Sequence, residues 1–183
     1  MGDELHGVLD AAQSGAGWAL ESLYRNLAPA VAGYLRVQGA QEPEDLTNEV
    51  FVRVFRDVGS FSGSDAQFRS WVFSIAHARL IDDRRRRARR ARLTMVEIDT
   101  VEPPATDDVE RDVLRSLAED RVRELCARVA PDQRDVLLLR VVGDLSLEQT
   151  AAVLAKTVGA VKALQRRGLA ALRRELEREG VSL

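Results

Sequence analysis

The sequence predicts an all-α protein made of two small helical domains joined by a flexible acidic linker. Apolar residues recur at helical spacing through most of the 183 residues, aromatic residues make up only 5%, and the prolines and glycines fall mostly outside these segments. The periodicity stops at Thr94–Thr106, which carries two adjacent prolines and several acids. We therefore predict domains at residues 1–93 and 109–183, with a linker at 94–108.

The N-terminal domain is predicted to begin with two helices. Asp3–Ala12 is a short amphipathic segment that ends before the glycines at 15 and 17. A longer apolar pattern then runs to a stop at Gly39 and contains Pro29, a residue that kinks helices. We interpret the apolar residues of both segments as core.

A third helix is predicted to begin around Glu42–Asp45 and to continue to Val58. Proline and acids in a first turn suit the exposed amides and the positive end of the helix dipole. Its apolar side chains do not fit one stripe, so the helix needs a second neighbour, either within the chain or in a partner protein. These residues are Leu46, Val50, Phe51, Val52, Val54 and Phe55.

A loop at Phe61–Gln67 leads into a helix that ends in an arginine run. Arg84–Arg92 holds seven arginines in nine residues, and the next acid comes only after Val96. A solvated face is the usual interpretation of a charge run, but this repulsion is unrelieved and favours contact with a phosphate backbone. The formal net charge of −2 does not itself indicate a nucleic-acid partner; the segregation of charge does.

The C-terminal domain is predicted to end in a helix-turn-helix at Ser146–Arg174. Ser146 and Gln149 form a capping-box pattern, and Thr157 is a candidate N-cap for the second helix. In that helix an apolar stripe lies opposite a mainly basic face that includes Arg166 and Arg167. Such a helix enters the major groove of DNA. The alternative is a helical hairpin with a solvated basic surface.

Other function classes lack support in the sequence. Cys126 is the only cysteine, so an intrachain disulfide and a cysteine-rich metal site are excluded, and we expect a buried thiol. We find no signal peptide and no apolar run that could span a membrane, and we expect a soluble, cytoplasmic protein. No cluster of residues suggests catalysis, a metal or a cofactor, so we do not expect an enzyme.

Four passages, in this order, resemble the extracytoplasmic-function (ECF) sigma factors of bacterial RNA polymerase, in the sigma-70 superfamily. They are Glu44–Phe51, Phe61–Asp82 with its arginine tail, Pro131–Arg140 and the helix-turn-helix. The resemblance implies two helical domains, called regions 2 and 4, on a flexible tether. It also implies three partners: core RNA polymerase (the β′ clamp helices and β), promoter DNA and an anti-sigma factor.

The resemblance assigns three sets of site residues. The set matching the polymerase-docking positions is Asp45, Asn48, Glu49, Phe51, Arg53 and Phe55. The set matching the capture of a flipped base and the melted −10 strand is Phe61, Ser62, Gly63, Ser64, Arg69, His77, Arg84 and Arg85. The set matching −35 recognition is Thr157, Lys162, Ala163, Gln165, Arg166 and Arg167.

Two residues keep two interpretations. Trp71 is either a stacking platform for a base or a core residue, and its helical phase with Phe68 and Ile75 favours core. Gln165 either faces DNA or lies at the rim of the core. Relatives of this kind usually carry glutamine where this chain has Asn48.

Two other functions compete with a sigma factor. A LuxR-like transcriptional regulator has a similar helix-turn-helix, but it pairs this with a ligand or receiver domain rich in strands. The all-helical, arginine-tailed N-terminal half argues against it. An enzyme or scaffold built on a basic helical bundle is the other rival.

Overall fold

The computed structural model describes residues 6–93 and 120–180, and every regular element in these two ranges is helical. The predicted all-α class is therefore confirmed, while the predicted linker lies outside the described residues. The elements are α1 (His6–Gln13), α2 (Gly17–Val37), α3 (Pro43–Asp57), a 3₁₀ turn (Val58–Ser60), α4 (Asp65–Leu93), α5 (120–127), α6 (Pro131–Val141), α7 (Leu147–Val153) and α8 (Val158–Arg178).

The first half of the chain is organised around α2. This helix runs unbroken through Pro29, and its buried side chains pack against α1, α3 and α4. Tyr34 is fully buried and its ring meets the Phe73 ring of α4 edge-on at 5.8 Å. Helix α1 extends to Gln13, one residue beyond the predicted end. The Gln13 side-chain amide donates hydrogen bonds to the backbone oxygens of Val58 and Phe61.

Helices α6, α7 and α8 form a compact unit in the second half. Val136, Ala151 and Val161 are buried together, one from each helix. Helices α6 and α8 pack closely at Gly168, where an added Cβ would lie 2.8 Å from the Leu137 Cδ1 atom. The predicted apolar stripe of α8 faces this contact, with Val161 and Gly168 buried.

The two halves of the structure are in direct contact. Leu138, Leu139 and Leu145 belong to the same buried core as the apolar residues of α2 and α4. Polar contacts also join the halves, among them a hydrogen bond of 2.5 Å from the Gln38 amide to the Asp135 carboxylate. The sequence predicts two domains on a tether and gives no sign of this contact.

Candidate nucleic-acid interface

The outward face of α3 carries most of the side chains predicted to bind polymerase. Pro43 occupies the start of the helix and two acids occupy its first turn, which suits the positive end of the dipole. Four of the predicted residues point to solvent, and all four are exposed: Asp45, Asn48, Glu49 and Arg53. The Asn48 side-chain oxygen accepts a hydrogen bond of 3.0 Å from the Tyr24 hydroxyl.

Phe51 and Phe55 lie differently from the other four residues. Phe51 is only 2% exposed, and its ring meets the Tyr24 ring at 4.8 Å and the Phe55 ring at 5.7 Å. Phe55 is half-buried. Phe51 therefore supports the α3 surface from beneath, and only Phe55 reaches toward it.

Val52 belongs to the same exposed face, although the sequence did not single it out as a site residue. It is 70% exposed on α3, so this apolar side chain gains little from folding. The available signal was the excess of apolar residues over one helical stripe. Val52 accounts for part of that excess.

Glu49 connects the α3 face to the arginine-rich helix. Its carboxylate lies 4.0 Å from the Arg79 guanidinium and 3.9 Å from the Arg86 guanidinium, and all three side chains are partly exposed. Exposed pairs at this distance contribute at most about 1 kcal/mol to stability. They place the negative charge of Glu49, a predicted docking residue, beside positive charges of α4.

The loop before α4 presents small polar residues on an aromatic base. Ser62, Gly63 and Ser64 are exposed. Beneath them the Phe61 ring packs against Phe68 at 5.2 Å and Trp71 at 5.3 Å. Trp71 is half-buried in this cluster, so its ring serves as core on one side while part of it remains accessible.

Two further contacts hold this loop in shape. The Gln13 amide donates a hydrogen bond of 2.6 Å to the Phe61 carbonyl oxygen. Ser64 caps α4 through a reciprocal pair, in which its backbone N–H donates to the Gln67 side chain at 2.8 Å and its hydroxyl accepts from the Gln67 N–H at 3.4 Å. Gly63 has φ of +157°, and an added Cβ would lie 2.8 Å from the Gln67 Oε1 atom.

Arg69 and His77 make contacts within the protein. The Arg69 Nε donates a hydrogen bond of 2.6 Å to the Gly143 carbonyl oxygen in the second half of the chain. The His77 Nδ1 lies 2.8 Å from the Tyr34 hydroxyl. Burial lowers the pKa of His77, an effect that the Asp135 carboxylate opposes and the Arg84 guanidinium reinforces. Burial also raises the pKa of Tyr34.

The arginine run divides into internal and external side chains. Arg84 is half-buried, and its Nη2 donates to the backbone and side-chain oxygens of Gln38, both at 2.8 Å. Arg85 is exposed, with Asp82 3.8 Å away. Arg89 and Arg92 also point to solvent on the last turns of α4. The external arginines form a positive surface suited to a phosphate backbone.

The helix-turn-helix is built as the sequence predicts. Ser146 and Gln149 form the capping box of α7, and the Thr157 hydroxyl accepts a hydrogen bond of 3.1 Å from the Ala160 N–H at the start of α8. The chain turns at Ala155, whose φ of 50° lies in the left-handed region. Alanine there is strained, since the left-handed conformation favours glycine.

Helix α8 presents its basic residues to solvent. Lys162, Arg166 and Arg167 are exposed, and Ala163 and Gln165 are half-buried at the edge of the same face. Thr157 is exposed at the helix N-terminus. An exposed basic face on the second helix of a helix-turn-helix has a shape and charge suited to the major groove of DNA.

The described residues contain neither a cluster of metal-binding side chains nor a helix that could cross a membrane. In residues 6–93 and 120–180, no three or more histidine, cysteine, aspartate or glutamate side chains come together to hold a metal ion. Among the helices described, none combines the length and apolarity needed to cross a membrane.

Comparison with protein families and known proteins gives consistent matches. Residues 23–90 match the family model of sigma-70 region 2, and residues 119–172 match a model of sigma-70 region 4. The chain is 34% identical over 175 residues to BldN of Streptomyces coelicolor, an ECF RNA polymerase sigma factor. The match covers 92% of this chain and 64% of that relative, so the chain spans somewhat less than two thirds of BldN.

A second relative and a solved structure extend the comparison. SigX of Bacillus subtilis, also an ECF RNA polymerase sigma factor, is 30% identical over 151 residues, which cover 79% of this chain and 75% of SigX. The solved structure of CnrH in complex with the cytosolic domain of CnrY superimposes with a TM-score of 0.68 at 25% identity. That superposition covers 93% of this chain and 96% of CnrH.

Proposed function

Because this chain belongs to the ECF sigma factors of the sigma-70 family, we propose that it directs core RNA polymerase to specific promoters and starts transcription there. The observation that carries the proposal is the pairing of a region 2 match and a region 4 match in one chain. Each match contains an exposed basic surface, on α4 and on α8. Sigma factors are transcription initiation factors, and we propose no catalytic role for this chain.

The α3 face is the proposed docking surface for core polymerase. Its exposed side chains combine two acids, an amide and an arginine around the apolar Val52. An apolar centre with a polar rim is the usual composition of a protein interface. We propose that the β′ clamp helices occupy this face, with Phe51 holding it rigid and Phe55 at its edge.

The Phe61–Ser64 loop and α4 are the proposed site for the −10 element. Strand capture needs a pocket for an extruded base and cations for its backbone. The exposed small residues above the Phe61 ring offer room for a base, and the arginines of α4, including Arg85, offer the cations. Arg69, His77 and Arg84 belong to this proposed site, although their present partners lie within the protein.

Helix α8 is the proposed reader of the −35 element. Arg166 and Arg167 have the reach for a bidentate contact to guanine or a clamp on phosphate. Lys162 adds a positive charge to the same exposed face, and Ala163 and Gln165 lie at its edge. Thr157 at the helix N-terminus suits a phosphate contact.

We also propose an anti-sigma factor as a regulatory partner. The solved structure of CnrH, to which this chain is similar, contains the cytosolic domain of CnrY as a partner. A partner of that kind would cover the α3 face or the DNA-binding helices. Since bacterial polymerase works in the cytoplasm, we propose that this chain works there too.

Run-off transcription tests the proposed function. Purified chain and core polymerase are combined on a library of promoter templates, with core polymerase alone as the control. We expect initiation only when the chain is present, on templates that share −35 and −10 elements. Absence of core-dependent initiation would reject the proposal, and binding of the chain to palindromes as a dimer would favour a LuxR-like regulator.

A further inference from the structure

A contact between α2 and α3 reaches one of the proposed docking residues. Tyr24 of α2 is 38% exposed, and its hydroxyl donates a hydrogen bond of 3.0 Å to the Oδ1 atom of Asn48 on α3. Its ring and the ring of Phe51 meet edge-on at 4.8 Å. One side chain of α2 therefore contacts two residues of the proposed docking set, one at the surface and one beneath it.

The hydrogen bond from Tyr24 leaves the other end of the Asn48 amide available. An asparagine side chain has an oxygen that accepts hydrogen bonds and an NH₂ group that donates them. Tyr24 uses the oxygen, and no group in the part of the chain that the structure describes accepts from the NH₂ group. Because both groups belong to one planar amide, fixing the oxygen restricts where the NH₂ group can point. Asn48 is exposed, so this donor is accessible to a partner.

The position of Tyr24 is itself well supported. The Phe51 ring against which it packs is only 2% exposed. An exposed side chain that samples several rotamers loses this freedom when it is immobilised in an interface, and a contact made before binding reduces that cost. The Tyr24 ring thus rests on the core of the domain while its hydroxyl orders a surface amide.

Tyr24 and Asn48 line the same groove between α2 and α3, which has a volume of about 560 Å³. The groove is open to solvent and meets the exposed face of α3 at Asn48. Further along its wall, Arg36 of α2 forms an ion pair with Glu44 in the first turn of α3. The two helices are therefore joined at two points, and a group that approaches α3 from solvent can reach the Asn48 amide.

We propose that Tyr24 is a positioning residue of the polymerase-docking surface. Its hydroxyl holds the Asn48 amide so that the NH₂ group donates to an oxygen acceptor, a carbonyl or a carboxylate, on core polymerase. The inference rests on the proposed function for the identity of this partner. The docking surface then includes a residue of α2 as well as those of α3.

Titration of the fluorescently labelled full chain with core polymerase tests the role of the hydroxyl. Four chains are compared: native, Tyr24→Phe, Asn48→Ala and the double variant. Tyr24→Phe removes only the hydroxyl and keeps the ring that packs against Phe51. We expect it to weaken core affinity about three- to tenfold in the native chain. In the Asn48→Ala chain the same change should weaken affinity by less than about twofold, because the hydroxyl has no amide left to hold.

Ser22→Ala is the matched control on α2. The Ser22 hydroxyl accepts a hydrogen bond of 3.4 Å from the Asn26 amide of the same helix. Its removal should change core affinity by less than about twofold. Equal weakening by Tyr24→Phe with and without the Asn48 amide would overturn the proposal, since the hydroxyl would then act through another group or through stability alone. Unchanged affinity in Tyr24→Phe would overturn it as well.

The contact can also be observed without polymerase. Asn26 and Asn48 are the only two asparagines in the sequence, so isotope labelling of asparagine gives two side-chain NH₂ signals in an NMR spectrum of the full chain. We expect Tyr24→Phe to shift the Asn48 signal, to raise its picosecond-to-nanosecond mobility and to leave the Asn26 signal unchanged. Ser22→Ala should shift only the Asn26 signal. An unchanged Asn48 signal in Tyr24→Phe would show that the hydroxyl does not hold the amide, and would overturn the proposal.

The failure of this inference can be distinguished from the failure of the proposed function. If the native chain does not bind core polymerase, the proposed function is rejected and the positioning role is rejected with it. If the native chain binds and the effects of Tyr24→Phe and Asn48→Ala are additive, only the role of Tyr24 is rejected.

Discussion

Ala155 holds the turn of the helix-turn-helix in a backbone conformation that alanine adopts at a cost. Its φ is 50°, and the residue is exposed between α7 and α8. The left-handed conformation costs an L-residue roughly 1–2 kcal/mol. Helix α7 ends at Val153, two residues earlier, and the exposed Ala155 methyl group contributes little to packing.

We predict that Ala155→Gly raises the free energy of unfolding by about 0.5–1 kcal/mol, because relief of strain exceeds the added entropy of the unfolded chain. Urea denaturation measures the change. Ala152→Gly is the matched control, since Ala152 is an exposed alanine within α7 and glycine there should destabilise by up to about 1 kcal/mol. Destabilisation of similar size in both variants would contradict the assignment of strain.

Arg166 is a second residue that one substitution can test, because the result distinguishes a contact to a base from a contact to a phosphate. Its side chain is exposed on the outer face of α8. Within the described residues it makes no hydrogen bond or ion pair that its removal would break. We predict that Arg166→Ala costs about 1–3 kcal/mol on the preferred −35 sequence and much less on other sequences. Binding to a selected duplex and to its scrambled version gives the two values.

Arg173→Ala, also exposed on α8 but nearly two turns further on, is the control for loss of positive charge. A uniform loss of affinity across sequences in Arg166→Ala would assign this residue to a phosphate instead of a base.

At the scale of the element, α3 is amphipathic with an unusual outer face. One side is buried through Leu46, Val50 and Val54, and the other exposes Val52 among charged residues. Since Val52 contributes little to folding, it can be changed with little effect on the stability of the helix.

We predict that Val52→Glu lowers affinity for core polymerase at least about tenfold, since a buried unpaired charge at the centre of an interface is costly. Co-sedimentation or fluorescence titration with core polymerase measures it. The same change at Val141, which is 75% exposed on α6, controls for added charge at an exposed valine. Unchanged affinity in Val52→Glu would show that α3 does not present its outer face to polymerase.

Helices α6 and α8 pack closely at Gly168. A Cβ at Gly168 would meet Leu137 at 2.8 Å and Gln133 at 3.3 Å, so a larger residue must displace the Leu137 side chain or move the two helices apart. We predict that Gly168→Val lowers the free energy of unfolding by about 1–3 kcal/mol, measured by thermal or urea denaturation.

Gly159→Val is the matched control within α8. Its Cβ would meet only the Thr157 Oγ1 atom, at 4.0 Å. The exchange there should be close to neutral, because valine is a better helix former than glycine. Equal effects at the two positions would mean that helix propensity, and not packing, governs both.

At the scale of the whole molecule, the individual helices were predictable from the sequence, but the packing of the two halves against each other was not. Caps, turns and apolar stripes are local signals, and they predicted the helix-turn-helix down to Ser146 and Thr157. The contact of Gln38 with Asp135 joins residues 97 positions apart, so no periodicity could reveal it. In the sequence Arg84 is one arginine of a uniform run. In the structure it differs from the exposed arginines of that run because it donates a hydrogen bond to Gln38, a residue distant in sequence.

For the candidate sites, too, the local positions were predictable and the packing was not. The resemblance located the exposed acids of α3 and the basic face of α8, because these positions follow from helical phase. It placed Phe51 among docking residues although the ring is buried, and it passed over Val52. Helical phase alone does not show which of two apolar faces another helix will cover.

The burial of Cys126 gives the native chain a measure of how often its interior opens. This thiol is the only one in the sequence, lies in the core shared by both halves, and has its pKa raised by burial. A thiol reagent should therefore react slowly with the folded chain and rapidly with the unfolded one. The ratio of the two rates gives the free energy of the opening that exposes Cys126, as amide exchange does for backbone groups. One unlabelled protein can thus report the free energy of the opening that exposes its own interior.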